Sequence, residues 1–197
     1  MKKQKYRSKR RGNNNQSGVI GTGLILVGFA LFLLWPKSVD SFASTSSPIS
    51  NSVVPVSVNY PAPQLSLQNI NGKTESLEDF RENVVLVNNW ATWCPPCKAE
   101  MPTLEKYYEA HVTKGFAIIA IEAGDGKDQV IQFADSLNLK FAVWLDPDGA
   151  SLNAFGNGNL PNSYVIDRQG MVRYAWTGEI NLAMLEKYVT PLIAESN

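Results

Sequence analysis

Two residues stand out as able to do chemistry: Cys94 and Cys97, the only cysteines among 197 residues, in the run Trp93-Cys94-Pro95-Pro96-Cys97. Three positions apart at the predicted start of a helix, their sulfurs share one turn and can close and reopen a disulfide. A helix N-terminus carries partial positive charge and unpaired amide hydrogens, which stabilise a thiolate. Cys94 is then the exposed nucleophile, and Cys97, one turn in, resolves a mixed disulfide with a substrate. Pro95 suits the first helical position. Neither Pro95 nor Pro96 has an amide hydrogen, so Cys94 loses donors that other residues would offer. A thiolate stabilised only moderately favours a reductant over a strong oxidant.

Other roles for the pair fit less well. A structural disulfide gains more by closing a longer loop. A tetrahedral zinc site needs four ligands, and the single histidine, His111, is too far along the helix to complete one. Two unrelated buried cysteines would leave Trp93 and the paired prolines as coincidence. No metal and no cofactor beyond the cysteine pair is expected. Trp93 reads as apolar contact surface for a substrate, whereas Trp90 and Trp144 read as core. His111, near a helix end, is expected to be a solvated surface residue or a favourable charge at the helix C-terminus, and Glu122, at a strand end, is a weaker acidic candidate expected to face water.

The elements that must position the cysteines follow from hydrophobic periodicity. Val84-Val85-Leu86-Val87 is a continuous apolar run, as in a strand buried on both faces. A helix follows from Pro95 to about Ala110, with a kink predicted at Pro102. Upstream, residues 64–68 alternate at period 2 and Asn71-Gly72 is a two-residue turn signal, so a small hairpin opens the domain. Ser76 caps a short helical turn through Phe80. Downstream come a strand from Phe116 to Ile121 and a helix from Asp128 to Leu137 capped by Asp128. Next are a strand from Ala142 to Leu145 and a turn at Asp146-Pro147-Asp148-Gly149. A hairpin joins Asn162–Asp167 to Val172–Trp176, and a terminal helix runs from Leu182 to Ala194 with an irregularity at Pro191. Strands alternating with helices and ending in a hairpin predict an α/β fold, a mixed sheet with helices on both faces.

Charge is unevenly distributed. The formal net charge is zero, but seven of the 18 basic residues lie in the first 11 positions, leaving the remainder at −7. A body of that sign is a poor nucleic-acid partner. After a basic tail at 1–17, residues 18–35 carry no charge, and 18 apolar residues just suffice to span a bilayer. The basic cluster stays on the cytoplasmic side and Trp35 falls at an interface. One transmembrane anchor is therefore expected, N-terminus inside, with the rest extracytoplasmic at a bacterial-type cytoplasmic membrane. A cleaved signal peptide competes, since Ser41-Phe42-Ala43 is a weak cleavage site, but the apolar core exceeds the usual length of roughly 7–15 residues. Residues 36–63, rich in Ser, Pro, Asn and Val, read as a flexible linker. The folded domain is expected over 64–197.

The stretch from Val84 to Pro102, Val-Val-Leu-Val-Asn-Asn-Trp-Ala-Thr-Trp-Cys-Pro-Pro-Cys-Lys-Ala-Glu-Met-Pro, resembles the TlpA/ResA branch of thioredoxin-like proteins. Leu160-Pro161-Asn162-Ser163-Tyr164-Val165-Ile166-Asp167 is similar to that branch's later segment, in which a cis-proline precedes a strand. The resemblance implies a thioredoxin-like sheet with an added N-terminal hairpin. It also implies that Pro161 is cis and lies against the cysteines, where the backbone of Leu160 can bind a client peptide as an added strand. Glu100 matches an acidic residue that members carry after the second cysteine. Buried, it could take or return the proton of Cys97; the alternative is a solvated helix glutamate. Classical thioredoxins place an aspartate where this chain has Asn88, and an amide cannot serve as the base, which turns attention to Glu100. The run Gly156-Asn157-Gly158-Asn159 departs from the usual pattern and bears on substrate choice.

The resemblance further implies an extracytoplasmic reductase of client-protein disulfides. Apocytochrome c is the implied client, and electrons would arrive from a thiol-transferring membrane protein. An oxidase or isomerase of similar fold is the rival enzyme, a peroxidase a weaker one, and a membrane-tethered client-binding module with an inert disulfide the non-enzymatic alternative.

Overall fold

The computed structural model describes residues 54–195, which hold one eight-stranded mixed sheet. The strands are β1 (Val56–Pro61), β2 (Ser66–Asn69), β3 (Thr74–Ser76), β4 (Val84–Trp90), β5 (Phe116–Glu122), β6 (Ala142–Leu145), β7 (Asn162–Ile166) and β8 (Met171–Thr177), in spatial order β1-β8-β7-β4-β5-β6-β2-β3. The centre is parallel: β4 pairs with β5 and β5 with β6. Both flanks are antiparallel, with β7 against β4 on one side and β2 against β6 on the other. All seven residues of β4 are buried, as its apolar run requires.

Successive side chains of β4 serve opposite cores. Val84, Leu86 and Trp90 join a cluster with Met101 and Leu104 of helix α1 (Pro95–His111), Val130 and Ala134 of α2 (Lys127–Ser136), Leu185 of α4 (Leu182–Tyr188) and Leu192 of α5 (Thr190–Ala194). Val85 and Val87 face the other cluster, covered by Leu77 and Phe80 of a 3-10 turn (Leu77–Phe80) and by Phe155 of the short helix α3 (Ala150–Phe155). Helices thus flank both faces unevenly, four of the five described α-helices on one side.

The hairpin forms as expected. Gly72 takes φ +84°, and the Asn69 side chain accepts the Asn71 and Lys73 amides at 3.0 Å each, closing the β2–β3 turn. The Ser76 amide donates to the Asp79 carboxylate (2.8 Å) at the start of the 3-10 turn. Two boundaries and one short helix differ. Residues 56–61, read as linker, form β1 on the sheet edge against β8, because tertiary pairing supplies partners that a Pro- and Ser-rich stretch does not advertise. Helix α2 begins one residue early with Gly126 as its cap, leaving Asp128 in the first turn rather than capping. The short helix α3, set between Gly149 and Gly156 that both take positive φ, has too few residues to show a period. The predicted irregularity at Pro191 is real: α4 and α5 are separate helices, and Pro191 sits in the first turn of the second. Helix α1 continues as one helical span with Pro102 inside it. The predicted anchor and the first part of the linker lie outside the described residues, and no helix among the described residues is long and apolar enough to cross a membrane.

Candidate active site

Strand β4 ends at Trp90, and a four-residue loop delivers the chain to α1. Cys94 is the residue that caps α1: its backbone is extended (φ −92°, ψ 106°), and its carbonyl accepts the Lys98 amide at 3.1 Å. Pro95 and Pro96 occupy the first two helical positions, where a missing amide hydrogen costs nothing. The first amide that can reach back is that of Cys97, which donates to Cys94 Sγ at 3.3 Å. The pair is closed as a disulfide, Cα to Cα 5.3 Å. Cys97 is wholly buried and Cys94 only 4% exposed. The expected order of access holds, but Cys94 is more enclosed than an exposed nucleophile, because the sulfur lies within the apolar cluster beneath α1. Accessible surface instead belongs to its neighbours: Trp93 is 65% exposed, and Pro95 and Pro96 are also exposed.

The Leu160–Pro161 peptide bond is cis, as the resemblance implies. Because β7 runs antiparallel to β4 with Asn162 opposite Asn89, Pro161 is placed at the end of the sheet from which the cysteine loop leaves. The Pro161 carbonyl accepts the Gly178 amide (2.8 Å). Leu160 packs against the cluster that holds both cysteines, and its own N–H and C=O have no hydrogen-bond partner among the described residues.

Glu100, one turn beyond Cys97, is fully buried, not solvated. Its Oε1 accepts from Asn88 Nδ2 (2.7 Å) and its Oε2 from the Ile180 amide (2.9 Å). Burial pushes its carboxyl up to about 7, against the opposing pull of those two donors, with nearby Glu179 adding to the rise. Asn88 therefore holds the carboxylate in place rather than replacing it. Its amide also donates to Ser163 Oγ (2.9 Å), while its Oδ1 has no partner among the described residues.

Two expectations of solvent exposure are overturned. Glu122 does not face water: it is 1% exposed, because β5 lies between β4 and β6 and the loop after it folds back. The Asp125 amide donates to both Glu122 oxygens at 3.0 Å. Burial, with the Asp125 and Asp146 carboxylates adding to it, raises Glu122 to about 8. Asp125 meanwhile accepts the Thr92 amide and hydroxyl, each at 2.8 Å, and so braces the loop that carries the cysteines. His111 is also buried (6% exposed), its ring tilted against Tyr107 with a ring-centroid distance of 4.2 Å and edge-on to Phe116, its Nδ1 2.9 Å from the Tyr107 carbonyl. One signal in the sequence could have exposed the polar machinery. Asn88 and Asn89 interrupt an otherwise apolar buried strand, where unpartnered amides are costly. Trp90 and Trp144 are core, as expected. No group of three or more His, Cys, Asp or Glu residues among those described is placed to hold a metal ion.

A Cys-x-x-Cys disulfide at the N-terminus of a helix, following the central strand of a mixed sheet with a cis-proline at the same end, defines a thioredoxin-like thiol–disulfide oxidoreductase. Residues 58–175 match the model of the AhpC/TSA family. The thiol-disulfide oxidoreductase ResA of Geobacillus thermodenitrificans is 34% identical over 134 residues, covering 68% of this chain and 77% of the relative. ResA of Bacillus subtilis is 34% identical over 128 residues, covering 65% and 72%. A solved thiol:disulfide interchange protein of the thioredoxin family from Chlorobium tepidum is alike with a TM-score of 0.64 at 25% identity, over 71% of this chain and 99% of that one. The chain belongs to the AhpC/TSA family and, within it, to the thiol–disulfide oxidoreductases of ResA type.

Proposed function

We propose that the protein is a membrane-anchored, extracytoplasmic reductase of client-protein disulfides, working through Cys94, Cys97 and Glu100. The observation that carries the direction of electron flow is the donor set around Cys94: with Pro95 and Pro96 in the first turn, the Cys97 amide is the one hydrogen bond its sulfur receives among the described residues. A strongly oxidising centre needs a heavily stabilised thiolate, and this first turn is poor in the donors that would provide it.

In the reduced protein the Cys94 thiolate attacks a client disulfide. A mixed disulfide forms and one client sulfur leaves as a thiolate, which takes up a proton. Glu100, raised to about 7 and one turn from Cys97, accepts the Cys97 proton. The Cys97 thiolate then attacks Cys94 Sγ, closing the observed disulfide and releasing the second client sulfur. The client is reduced by two electrons and the protein oxidised by two. Trp93, Pro95 and Pro96 supply an exposed apolar rim for the client, while the unpartnered backbone of Leu160 beside Pro161 accepts it as an added strand.

The oxidised protein needs a thiol donor in the membrane, and the charge-free segment 18–35 would keep the domain near it. The likeness to thiol-disulfide oxidoreductases of ResA type supports thiol–disulfide exchange in general. Apocytochrome c, whose haem-attachment cysteines must be reduced, is the client class proposed. Insulin reduction is expected with the wild type and absent with Cys94→Ser; equal activity in both would leave only a tethered binding module. Cys97→Ala, expressed at full length, is expected to accumulate mixed disulfides through Cys94. Recovery of cytochrome polypeptides among the trapped partners supports the client assignment, and their absence from a populated set of adducts refutes it.

A further inference from the structure

Asn89 and Asn162 face each other across the β4–β7 pair, and neither has any exposed surface. Asn89 Nδ2 donates to Asn162 Oδ1 at 2.8 Å, and Asn89 Oδ1 accepts from the buried hydroxyl of Ser151, on α3, at 2.6 Å. Asn162 Nδ2 donates in turn to two loop carbonyls, those of Asn159 (2.6 Å) and Asn157 (3.3 Å). Within that loop Asn157 accepts the Asn159 amide (3.0 Å) and its own amide group reaches Thr177 Oγ1 (2.9 Å).

Two fully buried asparagines closing the end of a strand pair are an expensive choice for packing alone. An apolar pair would fill the space without desolvating two amides. What the amides add is direction: the hydrogen-bonded chain starts on α3, passes from β4 to β7 and ends on the backbone of residues 157–159. That segment belongs to neither strand nor helix, follows Gly156 and contains Gly158, so it has little intrinsic stiffness. It leads directly into Leu160, whose N–H and C=O are left open among the described residues. We propose that the buried relay Ser151–Asn89–Asn162 is a positioning device for client recognition, holding the Gly/Asn loop so that Leu160 offers its backbone to an extended, disulfide-bearing polypeptide. The inference rests on the reading that Leu160 receives the client strand. Asn162 is a positioning residue, acting through the loop carbonyls and touching neither sulfur nor client.

The test compares two substrates of the reduced protein, a peptide containing an intramolecular disulfide and a small aromatic disulfide with no peptide bond. Losing the Asn162 donors in Asn162→Ala is expected to raise KM for the peptide by about tenfold, the size of one to two net hydrogen bonds. No matching change is expected in kcat, in the rate with the small disulfide or in the redox potential. Ser151→Ala, at the far end of the relay, is expected to shift peptide KM in the same direction by a smaller factor, and it decides the matter if Asn162→Ala fails to fold. An unchanged peptide KM in folded variants overturns the inference, as does an equal fall in rate with both substrates, which marks general structural damage. A wild type with no KM advantage for the peptide over the small disulfide instead removes the reading of Leu160, and the relay's role with it.

Discussion

At the scale of single residues, the cysteine pair is the most legible part of the molecule. Their spacing, with Trp93 before them and two prolines between, singles out Cys94 and Cys97. Glu100 needed the resemblance, because nothing in the local pattern distinguishes a helix glutamate that packs inward from one that is solvated; its burial is decided by Ile180 and Asn88, from distant parts of the chain. Glu100→Gln is expected to slow disulfide exchange by about 100-fold, the usual low end for a lost acid–base group. It should also remove the inflection near pH 7 from the kcat/KM profile; an unchanged profile assigns that carboxylate to structure only. Glu122 was misread, as strand ends normally open to solvent while this one is roofed by the Asp125 loop. Its carboxyl keeps a proton up to about 8 when folded, whereas the unfolded chain releases it near 4.5. Between those values the unfolded state binds fewer protons, so stability falls as pH rises and levels off above about 8. Glu122→Gln is expected to flatten that fall in denaturant titrations run from pH 5 to pH 9, and a slope identical to wild type would refute the assignment.

At the scale of elements, strongly periodic segments were readable and short ones were not. Strand β4, strand β6, helix α1 and the β7–β8 hairpin carry their own signals in apolar runs and turn residues. Strand β1 and helix α3 do not, because pairing with β8 and two flanking positive-φ glycines make them. The break between α4 and α5 follows from Pro191, but what anchors the last helix lies far from it in sequence. Arg168, in the β7–β8 turn, donates from Nη1 to the carbonyls of Leu192 and Glu195 (2.9 Å each) and from Nη2 to that of Ile193 (3.0 Å). A guanidinium on the last carbonyls of a helix satisfies orphaned acceptors and opposes the negative end of the dipole. Arg168→Ala is expected to destabilise the domain by about 2 kcal/mol in urea unfolding, the scale of hydrogen bonds to a charged donor. Insulin reduction should remain, because the contact is remote from the cysteines. A loss of activity without a loss of stability would contradict that placement.

At the scale of the whole molecule, fold, family and chemistry agree. A mixed sheet brings the N-terminus of α1, the cis-proline turn and a buried carboxylate to one end, and relatives of ResA type align over about two thirds of the chain at about one-third identity. The oxidising or reducing sense of the centre is set by interactions with sulfur that no fold prescribes. That sense is most directly measured as the equilibrium potential of the Cys94–Cys97 pair in glutathione buffers. The donor-poor first turn is expected to place it near the roughly −270 mV of thioredoxin, in the reducing range. A potential near the roughly −120 mV of a strong oxidant would contradict the assignment as a reductase.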